Sequence, residues 1–144
     1  MSKFAEHTSV PIDRSRAEVE RLIQRYGCSR FGVMNEADGS ATVYFEHQGR
    51  QLQIPVKMPP KAKYRGEKEW DQERRRRWRV LVLTLKAMLE AVESKLLTFD
   101  QAFLAHIVIP GTSKTLGDTI IPKLDALYSG QLALPPAFLS ETGT

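Results

Sequence analysis

Cysteine is nearly absent from this chain. Cys28 is the one cysteine in 144 residues, so no disulfide can form within it and a stapled secreted scaffold is excluded. That usage favours a reducing compartment. Histidine is scarce as well: His7, His47 and His106 are widely separated, and with a lone cysteine they do not make the spaced ligand set of a zinc site. No apolar run approaches the roughly 18 residues of a membrane span. The first ten residues are polar and mixed in charge, unlike the apolar core of a signal peptide. The expectation is a cytoplasmic protein with no membrane association.

What is present fits a globular chain. Hydrophobic residues make up 42% and charged residues 26%, far from the low hydrophobicity and high net charge of disorder. A chain of this length buries about 68% of the surface it exposes when unfolded, enough for a real core. No internal repeat and no linker divides it, so one domain over residues 1–144 is expected, with 1–10 and 131–144 loosely attached.

Periodicity gives an α+β order. Ser15 and Glu18 have the spacing of a capping box, and Val19, Leu22, Ile23 and Tyr26 form one apolar stripe before Gly27. A helix over about 14–26 is predicted. Three short segments follow, from Arg30 to Asn35, through Thr42 to His47, and from Gln51 to Val56, separated by Asp38-Gly39 and Gln48-Gly49. They read as a three-stranded antiparallel meander whose third strand ends at Pro55 or lies at an edge. After Pro59-Pro60 comes one long helix over about 67–96. Its half from Val80 to Val92 is apolar on nearly every face and is expected at the buried centre. Its half from Glu67 to Arg79 is polar apart from Trp70 and Trp78, and is expected to project towards solvent or a partner. Thr98 and Gln101 predict a capping box for a short helix carrying Phe99, Phe103, Leu104 and Ile107, ended by Pro110-Gly111. Gly117-Asp118 introduces a last helix with the stripe Ile120, Ile121, Leu124, Leu127 and Tyr128, stopped by Gly130.

Catalytic patterns are wanting. Cys28 could meet His47 or His106 in space as a nucleophile pair, but a lone cysteine beside a helix end is more often a small buried hydrophobe. The run Gly111-Thr112-Ser113-Lys114-Thr115 lacks the two glycines, the preceding strand and the Gly-Lys step of a phosphate-binding loop. No catalytic residue, metal or cofactor is expected.

The uneven charge is the most distinctive feature. Ten basic residues stand against four acidic ones between positions 57 and 79, while the rest of the chain carries a slight negative excess. The candidate binding residues are Lys57, Lys61, Lys63, Tyr64, Arg65, Trp70, Arg74, Arg75, Arg76, Arg77 and Arg79. Two readings are open. Asp71 with Arg75 and Glu73 with Arg77 are i, i+4 pairs worth about 0.2 to 0.5 kcal/mol each, so part of the run is ordinary helix surface. Five arginines at 100° per residue surround a helix, so some must point at the protein itself. Basic residues mixed with aromatics also suit nucleic acid, through phosphate neutralisation and base stacking; an acidic protein surface would suit the same set. For Trp78 the core is favoured, because Leu81, Leu85, Met88 and Val92 continue its stripe.

Val10-Pro11, the Ser15 to Glu18 helix start, Tyr26-Gly27, Trp78-Arg79, Lys86-Ala87, Leu89-Glu90-Ala91-Val92, Phe103-Leu104-Ala105-His106-Ile107 and Leu116-Gly117 follow one another with a spacing that resembles a family of small uncharacterised proteins from tailed-bacteriophage and prophage genomes. The resemblance spans about residues 4 to 136. It implies a bacterial host cytoplasm and a viral accessory role, and carries no activity to any residue. The α-β-β-β-α beginning also has the element order of a double-stranded-RNA-binding domain, but Lys61-Ala62-Lys63 lies in the loop before the second helix and does not reproduce that family's lysine-rich helix start. The expectation is a non-enzymatic phage accessory protein that binds nucleic acid through residues 57–79. One alternative is a phage inhibitor of host defence or of another host protein, acting through the same patch or the exposed face of the meander. Another is a small-molecule or nucleotide binder with its site between sheet and helices. A homodimer would suit a partly apolar helix capped by arginines.

Overall fold

The computed structural model describes residues 10–131. The loose attachment expected of 1–10 and 131–144 concerns, apart from Val10 and Gln131, residues outside that range. The architecture is α+β, with a helix, a three-stranded antiparallel sheet, a long helix and then shorter helices.

Helix α1 (Ile12–Arg25) starts at Pro11, whose carbonyl accepts from the N–H groups of Arg14 and Ser15 at 3.1 and 3.2 Å. A missing N–H is harmless at a helix start, where N–H groups lack acceptors within the helix. The Ser15 to Glu18 capping box is therefore not formed: Ser15 lies inside the helix and fully buried, and Glu18 pairs with Arg79. The other end is as expected. Gly27 adopts φ +83°, and the N–H groups of Gly27 and Cys28 reach back to the carbonyls of Gln24 and Ile23, the paired bonds of a Schellman stop.

Strands β1 (Ser29–Asn35), β2 (Ala41–His47) and β3 (Arg50–Val56) lie in that order. Gln48 and Gly49, both at positive φ, join the paired residues His47 and Arg50, the backbone that a tight two-residue hairpin requires. Pro55 faces Thr42 near the end of the outer strand. Beyond β3, Leu52 makes a single bridge to Ile107, and the Val108 N–H donates to the Gln51 carbonyl at 2.8 Å.

Alternation places Ala41, Val43 and Phe45 with Leu52, Ile54 and Val56 on the buried face. They meet Val19, Leu22 and Ile23 of α1 and, from α2 (Glu67–Glu93), the residues Trp78, Leu81, Val82, Leu85 and Leu89. These α2 positions recur at i, i+3, i+4, i+7 and i+11, a single stripe, so the helix is buried on one side rather than all round. Thr84, Lys86, Ala87 and Glu90 are exposed.

Helix α3 (Phe99–Phe103) begins with the expected box, Thr98 Oγ1 accepting from the Gln101 N–H and the Gln101 amide oxygen from the Thr98 N–H. Phe103 stacks on Phe99 at 4.6 Å and meets Phe45 edge-on at 6.2 Å. Full burial of rings of this size contributes about 1.5 to 3 kcal/mol each. The helix is shorter than expected: a 3-10 turn over Leu104–His106 ends it, and Ile107 has already joined the sheet edge.

The expected last helix is broken into α4 (Leu116–Ile120), a 3-10 turn over Ile121–Lys123, and α5 (Leu124–Tyr128). Pro122 lacks the N–H that a continuous helix needs and forces this break. No helix among the described residues is long and apolar enough to cross a membrane.

Candidate nucleic-acid interface

The arginine-rich half of α2 is held down at its start. Trp70 is only 9% exposed, and its ring lies against Gly39 in the turn between β1 and β2; a Cβ on Gly39 would stand 2.4 Å from the Trp70 Cζ2 atom. The Lys61 ammonium and the Arg74 guanidinium approach the same ring, 4.8 and 5.0 Å from its centroid. Trp70 is thus an anchor, and it offers no free platform for stacking a base. This corrects the expectation that the polar half projects: residues 71–77 are all half-buried.

Most of the arginines are committed to the protein. Glu73 receives Arg76 through two bonds of 2.9 and 2.8 Å and Arg77 through one of 2.6 Å, with the Arg76 and Glu73 side chains only 13% and 17% exposed. The two arginines hold the Glu73 carboxyl below its usual range, Arg76 contributing most and burial opposing. Arg77 also donates to the Lys57 carbonyl at 2.7 Å, which ties α2 to the end of β3. The Tyr64 phenol is pushed above its usual range, first by burial and then by the Glu73 charge. Arg79 reaches across to Glu18 of α1 at 2.7 Å. Asp71 pairs with Arg74 at i+3 rather than with the expected Arg75, while the pair from Glu73 to Arg77 forms as anticipated.

The remainder form a different set. Lys61 pairs with Glu67. Lys63 in its 3-10 turn, Arg65, Lys68 and Arg75 make no ion pair among the described residues, and Lys63, Arg65 and Lys68 are exposed. Arg65, Lys68 and Arg75, with Gly66, Glu69 and Gln72, line one shallow depression on the outer side of α2. Arg75 also borders a second one, with Arg74, Asp71 and the Pro11-Ile12 start of α1. Lys68 was not among the sequence candidates. Its signal was its helical spacing, since Lys68, Gln72 and Arg75 fall at i, i+4 and i+7 on one face. The exposed Lys57 lies apart from this set, in a groove between the end of β3 and α2 with Arg76, Arg77 and Val80.

Two other places bear on the alternatives. Cys28 Sγ lies 3.6 Å from His47 Nδ1, so the structure does bring this pair together. Burial pushes the thiol up to about 11, however, and the His47 ring lies tilted against Phe99, with centroids 4.2 Å apart. The thiol stays protonated near neutral pH, and the contact belongs to the core edge. The space between sheet and helices, where a small-molecule site was considered, is filled by the core. A cleft exists on the opposite sheet face, lined by Thr42, Gln53, Lys57, His106, Thr115 and Asp118 among others. There the His106 imidazole is held below its usual range by desolvation, with the Gln53 backbone and the Asp118 charge opposing.

Comparison with family models, curated proteins and solved structures finds no match to this chain.

Proposed function

We propose that this chain is a non-enzymatic bacteriophage accessory protein that binds nucleic acid through the phosphate backbone, using Lys63, Arg65, Lys68 and Arg75. The observation that carries this reading is the division of the basic cluster. Arg74, Arg76, Arg77 and Arg79 are engaged with acidic side chains, whereas these four cations make no ion pair among the described residues, and three of them share one surface with its depression. The phage setting rests on the sequence resemblance alone.

Trp70 and Trp78 are buried and take no part in base stacking, so the proposed mechanism rests on phosphate neutralisation. Four phosphate contacts on duplex DNA release counterions with a slope of about −3.6 in log K against log salt, so affinity falls about a hundredfold between roughly 50 and 200 mM salt. Binding of this kind is tolerant of sequence.

The test is a fluorescence-anisotropy titration of short single- and double-stranded DNA and RNA against the chain and its K63A/R65A/K68A/R75A variant. The expected result is steeply salt-dependent binding that disappears in the variant, while the variant's urea midpoint stays near that of the parent. Absence of binding at about 50 mM salt, where phosphate contacts are strongest, would overturn the reading. The same cations would then be assigned to an acidic protein surface, as an inhibitor of a host protein would require.

A further inference from the structure

Among the described residues the α4–α5 stripe is uncovered, with Ile120, Ile121, Leu124 and Tyr128 exposed. The sheet carries a more selective surface. Its face turned away from α1 and α2 bears Thr42, Tyr44 and Glu46 of β2, because the alternate residues Ala41, Val43 and Phe45 are buried in the core. Register sets Gln53 of β3 opposite Tyr44 and Gln51 opposite Glu46. On its other side Tyr44 faces Gly32 of β1, where even a Cβ would meet open space. The half-buried tyrosine therefore stands beside bare backbone. Tyr44, Glu46, Gln51 and Gln53 line a cleft of about 440 Å³, walled in part by the turn at Thr112-Ser113, and this volume falls within the roughly 300 to 1,000 Å³ of small-ligand sites. That wall is preformed. The Ile109 N–H donates to the Lys114 carbonyl at 2.8 Å, Thr112 Oγ1 donates to the Ile109 carbonyl at 2.8 Å, and the Gln53 amide donates to the Ser113 carbonyl at 3.3 Å.

Arg30 completes the rim. It takes φ +55° where the β1 register shifts between Ser29 and Gly32, a bulge of the kind that re-aims a side chain and gathers at binding sites. Its guanidinium reaches Glu46 at 3.4 Å and its side chain stays 77% exposed, so it can take a second anion. The lining groups select the ligand. Tyr44 offers a ring for stacking, and the exposed Gln51 amide makes no side-chain hydrogen bond among the described residues. The Gln53 amide oxygen and the second Glu46 carboxylate oxygen are open acceptors among the same residues. A planar ring with donors and acceptors along its edge satisfies these groups, whereas an apolar ring would leave them desolvated and unpaired. Arg30 adds a place for an anion, which a neutral sugar lacks. We propose that this cleft binds one nucleotide unit with an unpaired base, the base stacked on Tyr44, its edge met by Gln51 and Gln53, and its phosphate at Arg30. The site is separate from Lys63, Arg65, Lys68 and Arg75 and does not rest on their role.

The test follows backbone amide NMR shifts of the full chain during titration with the ribonucleoside 5′-monophosphates and with short single-stranded homo-oligonucleotides. The expected shifts fall at 30–32, 44–46, 51–53 and 112–113. Affinity drops on the order of tenfold in Tyr44→Ala and is kept in Tyr44→Phe, because the ring and not the hydroxyl does the stacking. Monophosphate binding also survives in the K63A/R65A/K68A/R75A variant, so failure of the α2 reading leaves this result untouched. In that same variant, an oligonucleotide that binds more tightly than its monophosphate identifies a strand as the source of the base, and equal affinities identify a free nucleotide. Should Tyr44→Ala unfold, Gln51→Ala on the exposed rim takes its place, with a several-fold loss that differs among the bases. The proposal is overturned by the absence of shifts at millimolar ligand, by shifts confined to other residues, or by affinity that neither Tyr44→Ala nor Gln51→Ala changes.

Discussion

Gly39 shows how one residue fixes where the basic helix lies. Its φ of +90° belongs to the left-handed region, and the Trp70 ring occupies the space where a side chain would begin. Alanine there adds backbone strain of about 1 to 2 kcal/mol and displaces the indole, an overpacking cost of about 1 to 3 kcal/mol. Gly39→Ala is expected to lower stability by at least about 2 kcal/mol, measured as a shift in the urea midpoint. A change within about 0.5 kcal/mol, the range of neutral surface substitutions, would show that Trp70 does not pack on this turn in solution. The role of Trp70 was not legible in the sequence, because a tryptophan in a polar helical segment satisfies the composition of a nucleic-acid surface and of a buried anchor equally. Only its contact with Gly39, a residue 31 positions away in the sequence, separates the two. Trp78 was legible, since its own helix continues the apolar stripe. The partition of the arginines was half legible: crowding around a helix required some to face inward, but Glu18 as the partner of Arg79 is a tertiary fact.

Helix ends show the same division between local and tertiary causes. Gly27 stops α1 as its sequence position announced. Helix α2 stops at Glu93, short of the expected Leu96, because Lys95 takes φ +66° and the N–H groups of Lys95 and Leu96 turn back to Val92 and Ala91. No glycine marks this stop, so nothing local disclosed it. A lysine in the left-handed region costs about 1 to 2 kcal/mol, and glycine removes that strain while adding about 0.5 to 1 kcal/mol of unfolded-state entropy. Lys95→Gly is therefore expected to stabilise the protein by up to about 1.5 kcal/mol, seen as a rise in the thermal midpoint. A lower midpoint would mean that the helix continues past Ser94 in solution. The strands were legible almost to the residue because period-two alternation and the Gln48-Gly49 turn agree. The α4–α5 stripe was legible as apolar but not in its exposure, since periodicity gives a face and leaves open what meets it.

Titratable groups on separate elements combine to shape the stability of the whole molecule against pH. On the acid side, His106 is desolvated between the outer sheet face and α4, and its imidazole lies below its usual value of about 6.5. The unfolded chain therefore takes up that proton first, and stability is full above about pH 6.5 and falls as pH drops through the folded value. Glu73, Asp100 and Asp118 are also held below their usual ranges, by Arg76 and Arg77, by Arg50, and by the Thr115 N–H respectively. They add a second loss at lower pH, near the ordinary carboxylate range. On the alkaline side the sign reverses. Cys28 is raised from 9.0 to about 11 by burial, so the unfolded chain loses its proton first and stability declines as pH rises from about 9 towards 11. The expected profile of urea midpoints is a plateau from about pH 6.5 to 9 with a decline on each side. His106→Gln should flatten the slope between about pH 6.5 and 5, and Cys28→Ala should flatten the one above 9, whatever each does to the plateau height. A parent midpoint that stays level from pH 6.5 to 5 would mean that water reaches the His106 imidazole. The nucleic-acid titration belongs on the plateau, near pH 7.5, where none of these protons moves and a lost signal in the four-residue variant reports lost cations rather than lost folding.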